Sequence, residues 1–137
     1  MELTELEKQI LLLMKEKRRL PIVRFELHSS KDAELACTAL NYVWITDPED
    51  SMATVKERGA ALESLMKKAL VFIDYSVRIW VVGDYKIYYQ SKLYETLCHM
   101  AMENAKNPEA LFDIPGFRKG YARLAWRGEL AAVDLGE

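Results

Sequence analysis

The sequence predicts an α+β fold in which three helices lead into a short strand and a β-hairpin. Three observations carry that expectation. Apolar residues recur at helical spacing from Leu6 to Met14 and again from Val55 to Ala69. The run Val71-Phe72-Ile73-Asp74-Tyr75, rich in β-branched and aromatic residues, follows the third predicted helix. Gly83-Asp84 lies between β-rich segments, which is a two-residue hairpin signal.

Taken in order, Thr4-Glu5-Leu6-Glu7 reads as a capping box that opens the first helix. Leu6, Ile10, Leu13 and Met14 give that helix a buried face; it runs to about Arg19, and Pro21 ends it. Ile22 to Leu27 is a short extended segment. Ser29 or Ser30 caps a second helix, with Asp32 and Glu34 in its first turn. Leu35 or Ala36, Ala39, Leu40 and Val43 form its inner face, and Trp44 and Ile45 close it. Thr46 to Asp50 is a polar turn. Ser51 or Thr54 caps the third helix, where Thr54 and Glu57 make a second capping box. Val55, Leu62, Leu65, Met66 and Ala69 share its inner face.

The hairpin register pairs Val82 with Tyr85, Trp80 with Ile87 and Ile79 with Tyr88. Both hairpin faces are then apolar, so another strand, the last helix or a second subunit should cover one of them. Ser91 caps a fourth helix carrying Leu93, Leu97, Cys98, Ala101 and Ala105, and Asn107-Pro108 stops it. Asp113 to Gly116 is a turn. Phe117 to Trp126 alternates loosely as a strand pair around Lys119-Gly120, and Arg127 to Leu135 forms a short final helix. No internal repeat or low-complexity segment interrupts the chain.

A length of 137 residues fits one compact domain, with residues 1–108 as its body and 109–137 as an extension packed on it. Half the residues are hydrophobic and 29% are charged, an ordinary soluble composition. No apolar run approaches a membrane span, and the acidic start lacks the basic-then-apolar order of a signal peptide. The expected location is therefore cytoplasmic, without membrane partners. Cys37 and Cys98 have no CxxC spacing and read as buried, reduced thiols. The formal net charge of −2 does not mark a nucleic-acid binder, but the charge is unevenly spread. Lys15, Lys17, Arg18, Arg19 and Arg24 form one basic cluster, and Arg118, Lys119, Arg123 and Arg127 form another.

Catalytic patterns are absent from the sequence. His28 and His99 are its two histidines. Cys98 and His99 would point about 100° apart on a helix and so form no chelating pair. There is no HExxH, GxSxG, P-loop or GxGxxG. Asp47, Glu49 and Asp50 lack the glycine and terminal glutamate of a calcium loop. No enzyme activity, metal or cofactor is expected. Tyr85, Tyr88, Tyr89 and Tyr94 form an aromatic cluster of the kind found in cores and interfaces.

Across about residues 4–106 the chain resembles the winged helix-turn-helix superfamily. The resemblance rests on the three helices, the exit Lys67-Lys68-Ala69-Leu70-Val71 and the hairpin. The superfamily commonly has Gly where Ala69 stands, to allow a left-handed C-cap, so here the turn should be built otherwise. The tail from Gly120 to Ala131 also resembles a wing strand leading into a helix. The resemblance implies a DNA-binding transcriptional regulator whose third helix enters the major groove. Ser51, Thr54, Lys56 and Arg58 would then contact double-stranded DNA, with Arg78 and Lys86 serving the wing. A homodimer is implied as well, with Trp80, Tyr88, Phe117, Tyr121 and Trp126 at its interface. The alternative is a winged-helix protein-interaction or dimerisation module that does not bind DNA. Net acidity, the carboxylates Glu57 and Glu63 on the third helix and the apolar hairpin favour it.

Overall fold

The computed structural model describes residues 2–136. The architecture is α+β. Its elements are α1 (Glu5–Lys17), β1 (Arg19–His28), β2 (Ala36–Val43), α2 (Met52–Lys67), β3 (Val71–Asp74), α3 (Lys86–Gln90), α4 (Lys92–Ala105), β4 (Ile114–Leu124) and α5 (Trp126–Leu135), with a 3₁₀ turn at Val82–Tyr85 leading into α3. The strands form one antiparallel sheet in the order β2-β1-β4-β3.

The helix starts follow the predicted capping chemistry. Thr4 Oγ1 accepts from the Glu7 amide, and the Glu7 carboxylate accepts from the Thr4 amide, each at 3.1 Å. Ser51 caps α2 and Ser91 caps α4 through their hydroxyl oxygens. Thr54 lies inside α2, so the second capping box does not form. α1 stops at Lys17, where Arg18 turns the chain at φ 73°, and Pro21 lies within β1. At the exit of α2, Ala69 itself takes the left-handed conformation, φ 60°, which corrects the expectation of a different turn. Its N–H donates to Met66 O and the Leu70 N–H to Leu65 O, both at 3.0 Å.

Two elements of the winged-helix expectation are replaced. Residues 36–43, expected in a helix, form β2. Cys37, Leu40 and Val43 lie opposite Leu27, Phe25 and Val23, and two register shifts fall between these pairs. Each shift inserts an extra residue, so inward-facing residues recur every third position instead of every second. That spacing imitates a helix. Tyr42, at φ 51°, sits in the second irregularity. The Gly83-Asp84 hairpin is also absent: these residues lie in the 3₁₀ turn, and helix α3 follows. Tyr85 and Tyr88, three apart, both turn inward. Tyr85 Oη donates to Gly120 O at 2.7 Å and Tyr88 Oη to Pro21 O at 2.5 Å. The turn expected at Asp113–Gly116 and the strand pair expected from Phe117 to Trp126 are replaced by one strand, Ile114–Leu124, and the start of α5.

The segment from residue 109 onward supplies a central strand, since β4 pairs with β1 over ten residue pairs from Arg19↔Arg123 to His28↔Ile114. Alternation along β1 then divides the core. Leu20 and Ile22 face one way and join Ala122 and Val71 beneath α1, α2 and α5. Val23, Phe25 and Leu27 face the other way and pack with Tyr85, Tyr88, Leu93 and Leu97 of the 82–105 region. Helices therefore cover both faces, but over different halves. On one face Arg24, Glu26 and His28 continue beyond the helices. On the other, Arg19, Phe72, Asp74 and Arg123 do.

Candidate functional site

The uncovered halves and the 75–82 segment hold the exposed chemistry. β3 ends at Asp74, opposite Tyr121, while β4 continues back to Ile114. Among the described residues no strand pairs with β4 on that side from Gly120 to Ile114. The chain leaves β3 as Tyr75–Val81 and opens a notch of about 310 Å³ lined by Tyr75, Val77, Trp80, Phe117, Arg118 and Lys119. Gly120 marks the start of this divergence: a Cβ there would lie 2.6 Å from both Asp74 O and the Tyr75 ring. Beyond it comes an apolar run in water, with Ile79 89% exposed, Trp80 41%, Val81 52% and Val82 69%. Lys119 Nζ sits 4.8 Å from the Trp80 ring centre, which holds a cation beside that run.

A second cleft, of about 390 Å³, lies on the uncovered half of the sheet. Arg19, Arg78, Arg123, Asp74, Ser76 and Tyr121 line it. Arg19 stacks 4.2 Å from the Tyr121 ring centre and Arg123 5.0 Å from that of Phe72. The Asp74 carboxyl is held below its ordinary range by hydrogen bonds from the Ser76 hydroxyl and amide, with a smaller contribution from the Arg123 charge. Lys15 and Arg18 line an adjoining cleft with Arg123 and Glu129. The two basic clusters seen in the sequence thus meet around Arg123.

The residues expected to contact DNA are spread over the start of α2, the 75–82 segment and α3. Ser51 and Thr54 bond each other at the start of α2. Arg58 is half-buried: its guanidinium donates to Asp50 Oδ2 at 2.7 Å and to Trp44 O at 3.1 Å, and lies 5.2 Å from the Trp44 ring centre. Burial opposes ionisation of Asp50, yet Arg58 and the amides of Thr46 and Asp47 hold its carboxyl below the usual range. Lys56 lies exposed on α2, Lys86 opens α3, and Arg78 belongs to the sheet cleft.

The expected interface residues differ in exposure. Trp80 and Trp126 are exposed and Phe117 is half-buried. Tyr88 and Tyr121 are buried inside the protomer. Tyr88 closes a core in which its hydroxyl also accepts from the Ile45 amide. Burial raises the phenols of Tyr75, Tyr85 and Tyr88 far above their ordinary value, so they titrate in no physiological range.

Cys37 and Cys98 are free thiols on β2 and α4, both half-buried. Among the described residues no three His, Cys, Asp or Glu side chains group as metal ligands, and no helix is long and apolar enough to cross a membrane. Arg19 and Arg123 belong to different basic clusters of the sequence, and the β1–β4 register brings them together. No protein-family profile, curated protein or solved structure matches the chain.

Proposed function

We propose that this protein is a protein-interaction module that engages its partner through the exposed 77–82 segment and the neighbouring open edge of β4. The observation that carries the reading is the apolar run Ile79–Val82, four consecutive large side chains left in water. Leaving such a run wet forfeits burial worth about 25 cal/mol per Å² of apolar surface, and contiguous patches of this kind mark binding surfaces. The unpaired edge of β4 beside it can accept an extended segment by backbone hydrogen bonding.

The competing reading is a DNA-binding regulator whose α2 enters a groove. It has less support: Ser51 and Thr54 are engaged in the cap, Arg58 is neutralised by Asp50, and Glu57 and Glu63 share the helix with Lys56. A single experiment separates the two. A photo-crosslinking amino acid is placed at position 79 in one variant and at position 56 in another. A protein adduct from position 79 and not from 56 supports the interaction module. No adduct from 79, together with salt-sensitive binding to random duplex DNA that Lys56→Glu abolishes, refutes it in favour of the regulator.

A further inference from the structure

We infer that the cleft on the uncovered half of the sheet binds a small phosphorylated ligand through Arg19, Arg78 and Arg123, Arg78 being shared with the 77–82 segment. The β1–β4 register sets two arginine pairs directly opposite each other, Arg24↔Arg118 and Arg19↔Arg123. Like charges directly opposite on one sheet face repel. In the first pair the chain supplies a counter-ion: Arg24 meets the Glu26 carboxylate at 2.9 Å. In the second pair it does not, since among the described residues neither Arg19 nor Arg123 has a carboxylate within ion-pair distance.

What these two arginines have instead is an aromatic face each, Tyr121 for Arg19 and Phe72 for Arg123. Stacking orients a guanidinium plane and leaves its N–H edge free, which is the arrangement that meets an oxyanion in bidentate fashion. Arg78 brings a third guanidinium to the same cleft. Of the residues lining this cleft one is a carboxylate, Asp74, whose Oδ1 is already taken by the Ser76 amide and hydroxyl at 2.8 and 2.6 Å; Asp84 accepts from Tyr121 Oη, and Glu129 lies in the adjoining cleft. Three guanidiniums exceed what one peptide carboxylate can use. They match the three terminal oxygens and double charge of a phosphate ester. A cleft of about 390 Å³ also has room for a small organic body beyond the phosphate.

The test is thermal unfolding and calorimetric titration of the full chain with inorganic phosphate and pyrophosphate, at an ionic strength held constant with chloride. The expected result is a saturable rise in Tm and a saturable binding heat. Both should weaken at least about tenfold in Arg19→Gln and Arg123→Gln and persist in Arg118→Gln. A second readout distinguishes a binding site from a structural stack. Without ligand and at low salt, Arg123→Gln should melt above the parent protein, because the unneutralised pair is relieved. Absence of saturable binding to either anion, equal binding by Arg123→Gln, or an Arg123→Gln variant that melts below the parent overturns the proposal. So does binding confined to duplex DNA, which would make the cleft a nucleic-acid contact.

Discussion

Replacing Gly128 by alanine tests the closest contact in the fold. Gly128 lies in the first turn of α5, which has no side-chain N-cap and is tied to the sheet by the Ala125 amide donating to Leu70 O at 2.9 Å. A Cβ at Gly128 would sit 1.8 Å from that same carbonyl oxygen and 2.8 Å from its carbon. Leu70 cannot yield easily, because its own N–H is bonded to Leu65 O and the chain continues directly into β3. Restoring an ordinary 3.4 Å contact moves the helix start by roughly 1.5 Å. That motion strains the Ala125–Leu70 bond and the packing of the fully buried Ala132. Overpacking of this kind costs about 1–3 kcal/mol, and a lost hydrogen bond adds about 1 kcal/mol. Alanine's better helix propensity returns about 1 kcal/mol. The net expectation is destabilisation by about 1–3 kcal/mol, read from urea unfolding followed by far-UV circular dichroism. Gly83→Ala, with nothing within 4 Å of its added Cβ, is the control and should be near neutral. If Gly128→Ala gains about 1 kcal/mol, propensity alone governs the site and the close approach of α5 to Leu70 is wrong.

Four further outcomes follow from the same contacts. Ala69→Gly should stabilise the protein by up to about 1 kcal/mol, since the left-handed conformation at φ 60° penalises a Cβ; an unchanged urea midpoint would contradict this backbone turn. Tyr88→Phe should cost about 1–3 kcal/mol by leaving Pro21 O and the Ile45 amide without their hydroxyl, whereas an interface tyrosine would leave monomer stability untouched. Ile79→Asp should leave the urea midpoint unchanged, because its side chain touches water and not the core. Arg58→Ala should cost about 1–3 kcal/mol at neutral pH by stranding Asp50. The sign with pH is fixed: the folded Asp50 pKa lies below 3.8, so its contribution is present above 3.8 and is lost as pH falls through the lowered value. The parent and Arg58→Ala midpoints should therefore converge in acid, and a constant gap would refute the pairing.

Local chemistry was the legible part of this sequence. Caps at Thr4, Ser51 and Ser91 and the strand at Val71–Asp74 were readable because each depends on neighbours a few residues away. The α+β class followed from them. β2 was misread because its two register shifts convert a period of two into a period of three, a property of its pairing with β1 and not of residues 36–43 alone. The false hairpin has a related cause. Ile79 to Tyr88 is β-rich in composition, yet Tyr85 and Tyr88 reach carbonyls on β4 and β1, and those distant bonds favour a helical turn over a strand. The candidate site was least legible. The sequence offers Arg78 for a wing, but Arg19 and Arg123 stand 104 positions apart, and only the register opposes them.

The contrast between the two arginine pairs shows how a strand's alternation decides what becomes a site. Glu26 follows Arg24 by two residues, so both side chains leave the same face of β1 and the carboxylate reaches the guanidinium. The equivalent position after Arg19 is Pro21, which offers no charge and whose carbonyl is taken by Tyr88. On β4, Tyr121 occupies the same-face position beside Arg123, giving the pair an aromatic platform where an acid would have closed it. Helices α3 and α4 shield Phe25 and Leu27 on this face, while the end carrying Arg19 has no helix over it. Burial there would have required an internal counter-charge, because an unpaired guanidinium is too costly to desolvate. Left open, the same charges stay hydrated and keep their N–H edges available to an anion from solution.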